Sequence, residues 1–258
     1  MSIILKTESQ ATLMREAGRV VFSVHEALRK EIQPGITTRD LERISVECLK
    51  EHGAVSSFFE YEGSFGAGLY PGHICISINE EVIHGIPGLR KLCDGDIVSI
   101  DVGAYKNGFH SDAARTYIVG NAGDEDKKLV KATETCFFKG LEFAKAGNRL
   151  YDISEAIHAH IKAEGFSIVR DFVGHGIGKD LHEAPEIPNY LPIGRGRGPR
   201  LAPGMTLAIE PMVNAGRHAV EILPDLWTVV TKDGSKSAHY ENTVLITDGE
   251  PEILTLLN

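Results

Sequence analysis

The sequence predicts an α+β fold built from two similar helix–helix–strand halves, on three observations. Helical periodicity clusters ahead of runs of strands broken by short turns. Gly35, Asp40, Lys50 and Gly53 recur, each 112 positions later, as Gly147, Asp152, Lys162 and Gly165. The segment GDIVSID (95–101) recurs 109 positions later as GMTLAIE (204–210), each a glycine, five strand-like residues and a carboxylate. A further echo, His84-Gly85-Ile86 against His175-Gly176-Ile177, lies 91 positions apart and is read as part of the same duplication.

The elements follow in order. Residues 8–32 place Leu13, Ala17, Val20, Val21, Val24 and Leu28 at helical spacing. Thr7 and Gln10 form a capping box in front, and Pro34-Gly35 stops the helix. A second helix runs from about Thr38 to His52 and ends at Gly53. Residues 124–145 and 151–164 repeat the scheme, with stops at Gly147 and Gly165. Residues 96–105 and 109–119 read as strands joined by Asn107-Gly108, a strong two-residue hairpin signal. A second hairpin is expected around Lys232-Asp233-Gly234, ahead of HYENTVLIT. Turn signals are spread evenly and no linker interrupts them, so residues 1–258 are expected to form one domain whose halves share a core and a cleft.

The chain has 258 residues, 27 basic and 36 acidic, for a net charge of -9. That balance argues against a polyanion-binding protein, so no sequence-specific nucleic acid is expected. The basic loop GRGRGPR (194–200) reads as a solvated loop. With 42% hydrophobic and 24% charged residues the chain is neither disordered, collagenous nor coiled coil. No apolar run approaches the ~18 residues of a membrane span. MSIILKTESQ lacks the long apolar core of a signal peptide. Cys48, Cys75, Cys93 and Cys136 contain no CxxC, which points to reduced thiols in a cytoplasm.

The chemistry starts at Asp101 and Asp112. If Asn107-Gly108 forms the turn, Asp112 sits opposite Gly103. Asp101 is two residues from Gly103, so both carboxylates share a face as diagonal neighbours, about 7–8 Å apart. Two acids among Ile97, Val98, Ile100 and Val102 are costly unless paired or metal-bound. Glu210 ends the apolar run MTLAI, and Glu241 lies in HYENTVLIT. His175 stands between glycines in GHGIG, and His182 follows in LHEAP. His84, His175 and His182 all sit in glycine- or proline-punctuated loops, whereas His25, His52, His158 and His160 read as ordinary helix residues. Two aspartates, two glutamates and one histidine suit Mn, Fe, Co or Zn. Four carboxylates exceed what one catalytic zinc needs, so two ions bridged by shared carboxylates fit better. There is no GxGxxG, GxxxxGK[ST], HExxH or GxSxG, which removes support for nucleotide binding, a single-zinc peptidase and a serine hydrolase.

Five stretches resemble the methionine aminopeptidases of the pita-bread metallopeptidase fold. They are CISINEEVIHGIP (75–87), GDIVSIDVGAYKNGFHSDAARTYIVG (95–120), GHGIGKDLHEAP (174–185), PGMTLAIEPMV (203–213) and HYENTVLIT (239–247). Thirty residues separate Glu210 from Glu241, so the resemblance is to the short type I enzymes, without the helical insertion of type II. It implies Asp101, Asp112, His175, Glu210 and Glu241 as ligands of two divalent ions, with Asp112 and Glu241 bridging. By the same resemblance Glu210 would double as proton shuttle, His84 would bond near the scissile nitrogen, and His182 would steady the substrate carbonyl. Tyr61, Cys75, Leu181, Trp227 and either Phe65 or Tyr70 would line the methionine pocket. The implied activity is removal of the initiator methionine ahead of a small second residue, by a hydroxide held between the two ions. The implied partners are nascent N-termini and the ribosome, met by a monomer. Relatives often carry histidine where Asn242 stands, and phenylalanine where Leu181 stands.

Three other readings compete. The same chemistry could serve a residue before proline. A metal-free relative could act as a binding module, although five ligands in register speak against that. A dinuclear phosphohydrolase would bring more histidines and a phosphate-cradling loop.

Overall fold

The computed structural model describes residues 2–63, 66–191, 194 and 196–256. The first half contains α1 (Glu8–Glu31), α2 (Thr38–Glu51), β1 (Val55–Ser56), β2 (Cys75–Ile78), β3 (Glu81–Ile83), β4 (Ile97–Lys106) and β5 (Phe109–Ile118). The second contains α3 (Asp124–Leu141), α4 (Leu150–Glu164), β6 (Ser167–Ile168), β7 (Gly174–Gly176) and β8 (Glu183–Ile187). It continues with β9 (Thr206–Ile209), β10 (Met212–Asn214), β11 (Val220–Ile222), β12 (Val229–Thr231), β13 (Ser237–His239), β14 (Asn242–Leu245) and β15 (Glu252–Ile253). The Thr7–Gln10 box caps α1, and Gly165 ends α4 at φ 86°. One sheet carries β1, β4, β2 and β5, another β15, β14, β9, β7 and β8. Smaller sheets are β13-β10-β6 and β11-β12-β3.

The sequence repeat has a structural cause. Gly35 donates to the Leu92 carbonyl (2.8 Å), and Leu92 donates back to Ile36 (2.9 Å). In the second half Gly147 donates to Leu201 (2.9 Å), and Leu201 donates back to Asn148 (2.8 Å). Asp40 and Asp152 then accept from the backbone N–H three residues before them, at the starts of α2 and α4. Gly95 donates to Val119 and Gly204 to Ile246, both at 2.9 Å. These are the same bonds made twice.

The strand registers repeat as well. In β4–β5, Gly103 faces Asp112, as Asn107-Gly108 requires, with φ 52° and 86° at the turn. In the second half β9 pairs with β14 and β10 with β13 in one continuous register: Ile209 faces Asn242 and Met212 faces His239. Carried across the gap between them, that register sets Glu210 opposite Glu241. Glu210 is the counterpart of Asp101, and Met212–His239 is the counterpart of Gly103–Asp112.

Four expectations need correction. His175 is not the counterpart of His84. It lies in β7 opposite Ala208, where the first half has Ser77 opposite Ser99. The HGI echo therefore matches letters, not positions, and His175 is a strand residue rather than a loop residue. Helix α3 ends at Leu141, short of residue 145. Beyond it, Phe143 and Ala144 donate to Gly140 and Leu141 in tighter three-residue turns that bury Ala144 completely. Lys232-Asp233-Gly234 turns the chain but makes no hairpin: β12 pairs with β11 and β3, β13 with β10. The Asp233 carboxylate accepts from the backbone of Arg217 and Ser235 and steers the chain into the next sheet. Each half also has its own apolar cluster, one under α1 and α2, one under α3 and α4. A third cluster lies between them, around Phe58, Tyr70, Cys75, Ile177 and Leu181.

Candidate metal centre and substrate cleft

The paired strands of the two halves converge on one point. Asp101 and Asp112 come from β4 and β5, and their carboxyls lie within hydrogen-bonding reach of each other. Thr243 of β14 pins Asp112 from the other half: its hydroxyl accepts from Asp112 N–H and donates to Asp112 carbonyl, both at 2.9 Å. Glu241 N–H donates to the Ala114 carbonyl of β5 (2.9 Å). His175 reaches the same point because glycines flank it. A Cβ on Gly174 would strike the Ala208 carbonyl, and one on Gly176 the Ala184 carbonyl.

Among the described residues, ligand atoms of Asp112, His175 and Glu241 lie within 4.8 Å of one another, all three side chains buried. Glu210 Oε1 is 3.5 Å from His175 Nε2. Glu210 thus adjoins this group through His175, and Asp101 adjoins it through Asp112. Burial pushes Asp101, Glu210 and Glu241 well above the usual carboxylate range and Asp112 up to about 6; neighbouring acids push Asp101, Glu210 and Glu241 further. Burial pulls His175 down to about 3. Asp101 Oδ1, Asp112 Oδ1 and Glu241 Oε1 are buried without a hydrogen-bond partner. Unsatisfied buried oxygens of this kind are costly in a protein interior. Hard oxygens with one neutral imidazole are the donor set of a divalent first-row ion, so these residues fit one.

The predicted cleft residues adjoin the cluster through His182, beside His175, and Cys75, opposite Asp101. His182 is exposed, with its ring 4.3 Å from that of His175 and its Nδ1 2.6 Å from the Tyr61 hydroxyl. His84 is half-buried, edge-on to Phe172 at 5.9 Å and to Trp227 at 6.3 Å. Burial pulls His84 down to about 4, and nearby His182 adds to the shift. Tyr70, Cys75 and Leu181 belong to the apolar cluster between the halves, and Tyr61 and Trp227 pack against it. Tyr70 is edge-on to Trp227 at 5.0 Å and donates to the Gly85 carbonyl at 2.9 Å. Phe65 lies outside the described residues.

Sequence reasoning missed two residues. Arg115 on β5 donates to the backbone carbonyls of Ala114 and Glu241 and to Asn242 Oδ1, and lies 4.5 Å over the Tyr240 ring. Asn242 Oδ1 also accepts from the Thr255 hydroxyl (2.9 Å). The residue beside Glu241 therefore belongs to a buried network that holds the Glu241 backbone. His239 is buried, with Nε2 3.9 Å from Glu210 Oε2. Its signal was available: it stands two residues before Glu241, and two-residue spacing near a strand shares a face. His25, read as an ordinary helix residue, is buried and bonded to Tyr117 and to the Ala113 carbonyl.

The model of metallopeptidase family M24 matches residues 12–248. The chain belongs to this family. The M24 chain is 54% identical to methionine aminopeptidase 1 of Bacillus subtilis, over 98% of this chain and 99% of that protein. It is 56% identical to the methionine aminopeptidase of Clostridium perfringens, over 99% of each. The methionine aminopeptidase structure from Thermotoga maritima superposes with a TM-score of 0.94 at 44% identity, covering 99% of this chain and all of that one. The prolidase of Pyrococcus furiosus shares the fold at a TM-score of 0.75 and 22% identity, and this chain covers 66% of it. The fold is thus the pita-bread fold of the M24 enzymes, and the protein is a metallopeptidase. Among the described residues, no helix is long and apolar enough to cross a membrane.

Proposed function

We infer that the protein is a methionine aminopeptidase that removes the N-terminal methionine from nascent chains and peptides ahead of a small second residue. The observation that carries this is the buried Asp112–His175–Glu241 cluster, in a chain more than half identical over nearly its whole length to methionine aminopeptidases. Asp101, Asp112, His175, Glu210 and Glu241 would hold two divalent ions, Mn, Fe, Co or Zn. Bound there, the ions would supply Lewis acidity and water activation at neutral pH.

The chain's own residues do the rest. The methionine side chain enters the apolar cluster of Tyr70, Cys75 and Leu181, closed by Tyr61 and Trp227. Tyr61 keeps its phenolic proton, since burial raises it, and donates to His182 Nδ1. His182 then carries its hydrogen on Nε2, where it donates to the scissile carbonyl and to the oxyanion that follows. His84 stays neutral and offers a hydrogen bond to the scissile nitrogen. Glu210 would take the proton released by the attacking water and pass it to the departing amine. Residues 1–258 act as one catalytic domain, as a cytoplasmic monomer serving nascent chains at the ribosome.

The test is metal-stripped protein resupplied singly with manganese, cobalt, iron or zinc. Methionine release from Met-Ala-Ser, with an X-Pro peptide left intact, is the expected result. Cleavage of the X-Pro peptide alone would overturn the specificity, and no cleavage of either by folded protein would overturn the activity.

A further inference from the structure

The second half carries, at the position equivalent to a site carboxylate, a histidine with no assigned work. Met212 faces His239 as Gly103 faces Asp112. His239 is 2% exposed, and its Nε2 is buried without a hydrogen-bond partner. That nitrogen lies 3.9 Å from Glu210 Oε2, while Glu210 Oε1 lies 3.5 Å from His175 Nε2. The two oxygens of one carboxylate thus face two different imidazoles. The backbone of His239 is tied down: its N–H donates to the Thr116 hydroxyl, which donates back to the His239 carbonyl, both at 2.8 Å. Thr116 is held in turn by Ser99 of β4 at 2.8 Å. His239 therefore rests on the first half's hairpin and points at the second half's acid.

We propose that His239 is the positioning residue for Glu210, its Nε2–H donating to Oε2 so that Oε1 stays turned toward the metal cluster. This rests on the metallopeptidase reading of the site. The 3.9 Å separation is about 0.7–1.2 Å longer than a hydrogen bond. The terminal torsion of a glutamate is soft, so a small rotation closes it. A directed N–H also answers a second need, because an unpaired buried donor is costly. Groups that orient metal ligands from behind are worth about 10–100-fold in metal affinity.

The experiment compares wild type, H239L and H239Q, titrating manganese into metal-free protein by calorimetry and following Met-Ala-Ser cleavage. H239L should bind manganese about 10–100-fold more weakly and lose kcat with little change in KM. H239Q keeps an N–H donor and should recover most of the affinity. Wild-type affinity in H239L would overturn the proposal, as would equal losses in H239L and H239Q at unchanged melting temperature. If H239L does not fold, nitrogen-15 spectra of the wild type decide: a hydrogen on His239 Nε2 supports the assignment, and a bare Nε2 overturns it. Calorimetry and spectra need no peptide, so wild type that binds manganese but cleaves no methionyl peptide would defeat the activity and leave this inference standing.

Discussion

The two halves share a hydrogen-bond skeleton and differ in where each places its acids. In the first, β4 and β5 form an unbroken ladder closed by a two-residue turn, and Asp101 and Asp112 sit diagonally on it. In the second, the same register opens between β9–β14 and β10–β13, and Glu210 and Glu241 stand in the opening. Where the first half has Asn107-Gly108, the second has residues 215–236, which carry β11, β12 and Trp227. Backbone register is hard to change, because a slip of one residue turns every side chain to the other face. Side-chain identity at a fixed register position is free to change. The skeleton is therefore twofold and the chemistry is not: His175 answers to Ser77, His239 to Asp112, Glu241 to Ala114.

The largest expected effect tests whether the halves contribute equally. Asp112→Asn and Glu241→Gln remove one acid from each half. Each should cut methionyl-peptide cleavage by about a thousandfold or more, since the ions' contribution is several kcal/mol. A mild loss in only one would show that the site leans on one half.

Next is Lys6→Met. Lys6 and Glu183 form a buried ion pair, at 3% and 4% side-chain exposure, between the N-terminal segment and β8. Leaving Glu183 buried alone should cost about 3–5 kcal/mol in denaturant unfolding. The Glu183 carboxylate, next in sequence to His182, also accepts from Lys179 N–H (2.9 Å), so activity should fall as well. Unchanged stability would show that water reaches the pair.

Metal binding should then depend on pH with a defined sign. Burial raises Asp101, Glu210 and Glu241, and Asp112 to about 6, so the metal-free cluster holds protons that a metal must displace. Affinity should rise from pH 5 to pH 7, by about tenfold per unit for each proton released. Calorimetry in buffers of different ionisation enthalpy would count them, and a flat profile would contradict the burial.

The smallest effect is the cleanest comparison. Asp40→Ala and Asp152→Ala remove the matched carboxylates that close the capping boxes of α2 and α4. Each should cost about 1 kcal/mol by thermal unfolding, and the two should agree within error. Asp152 also pairs with Arg197, but that exposed arginine adds little.

Local chemistry made most of this legible in advance. Asn107-Gly108 fixes its own turn, the turn sets the β4–β5 register, and the register puts Asp101 and Asp112 on one face. The repeated glycines and aspartates mark helix starts and stops, which depend on near neighbours. What escaped depends on distant ones. Arg115 looks like a solvated strand residue until Asn242, 127 positions away, meets it. Asp233 reads as a hairpin turn until Arg217 engages its carboxylate. The HGI echo misled because three matching letters carry no register. Ser77, the true counterpart of His175, shares no chemistry with it.

The bond from Glu241 N–H to the Ala114 carbonyl stitches one half's acid to the other half's strand. Before the halves dock, a newly made chain offers two aspartates on one piece, and a histidine with two glutamates on the other. Neither piece has the full donor set, and the imidazole belongs to only one of them. The full donor set therefore exists only where the two duplicated pieces meet in register.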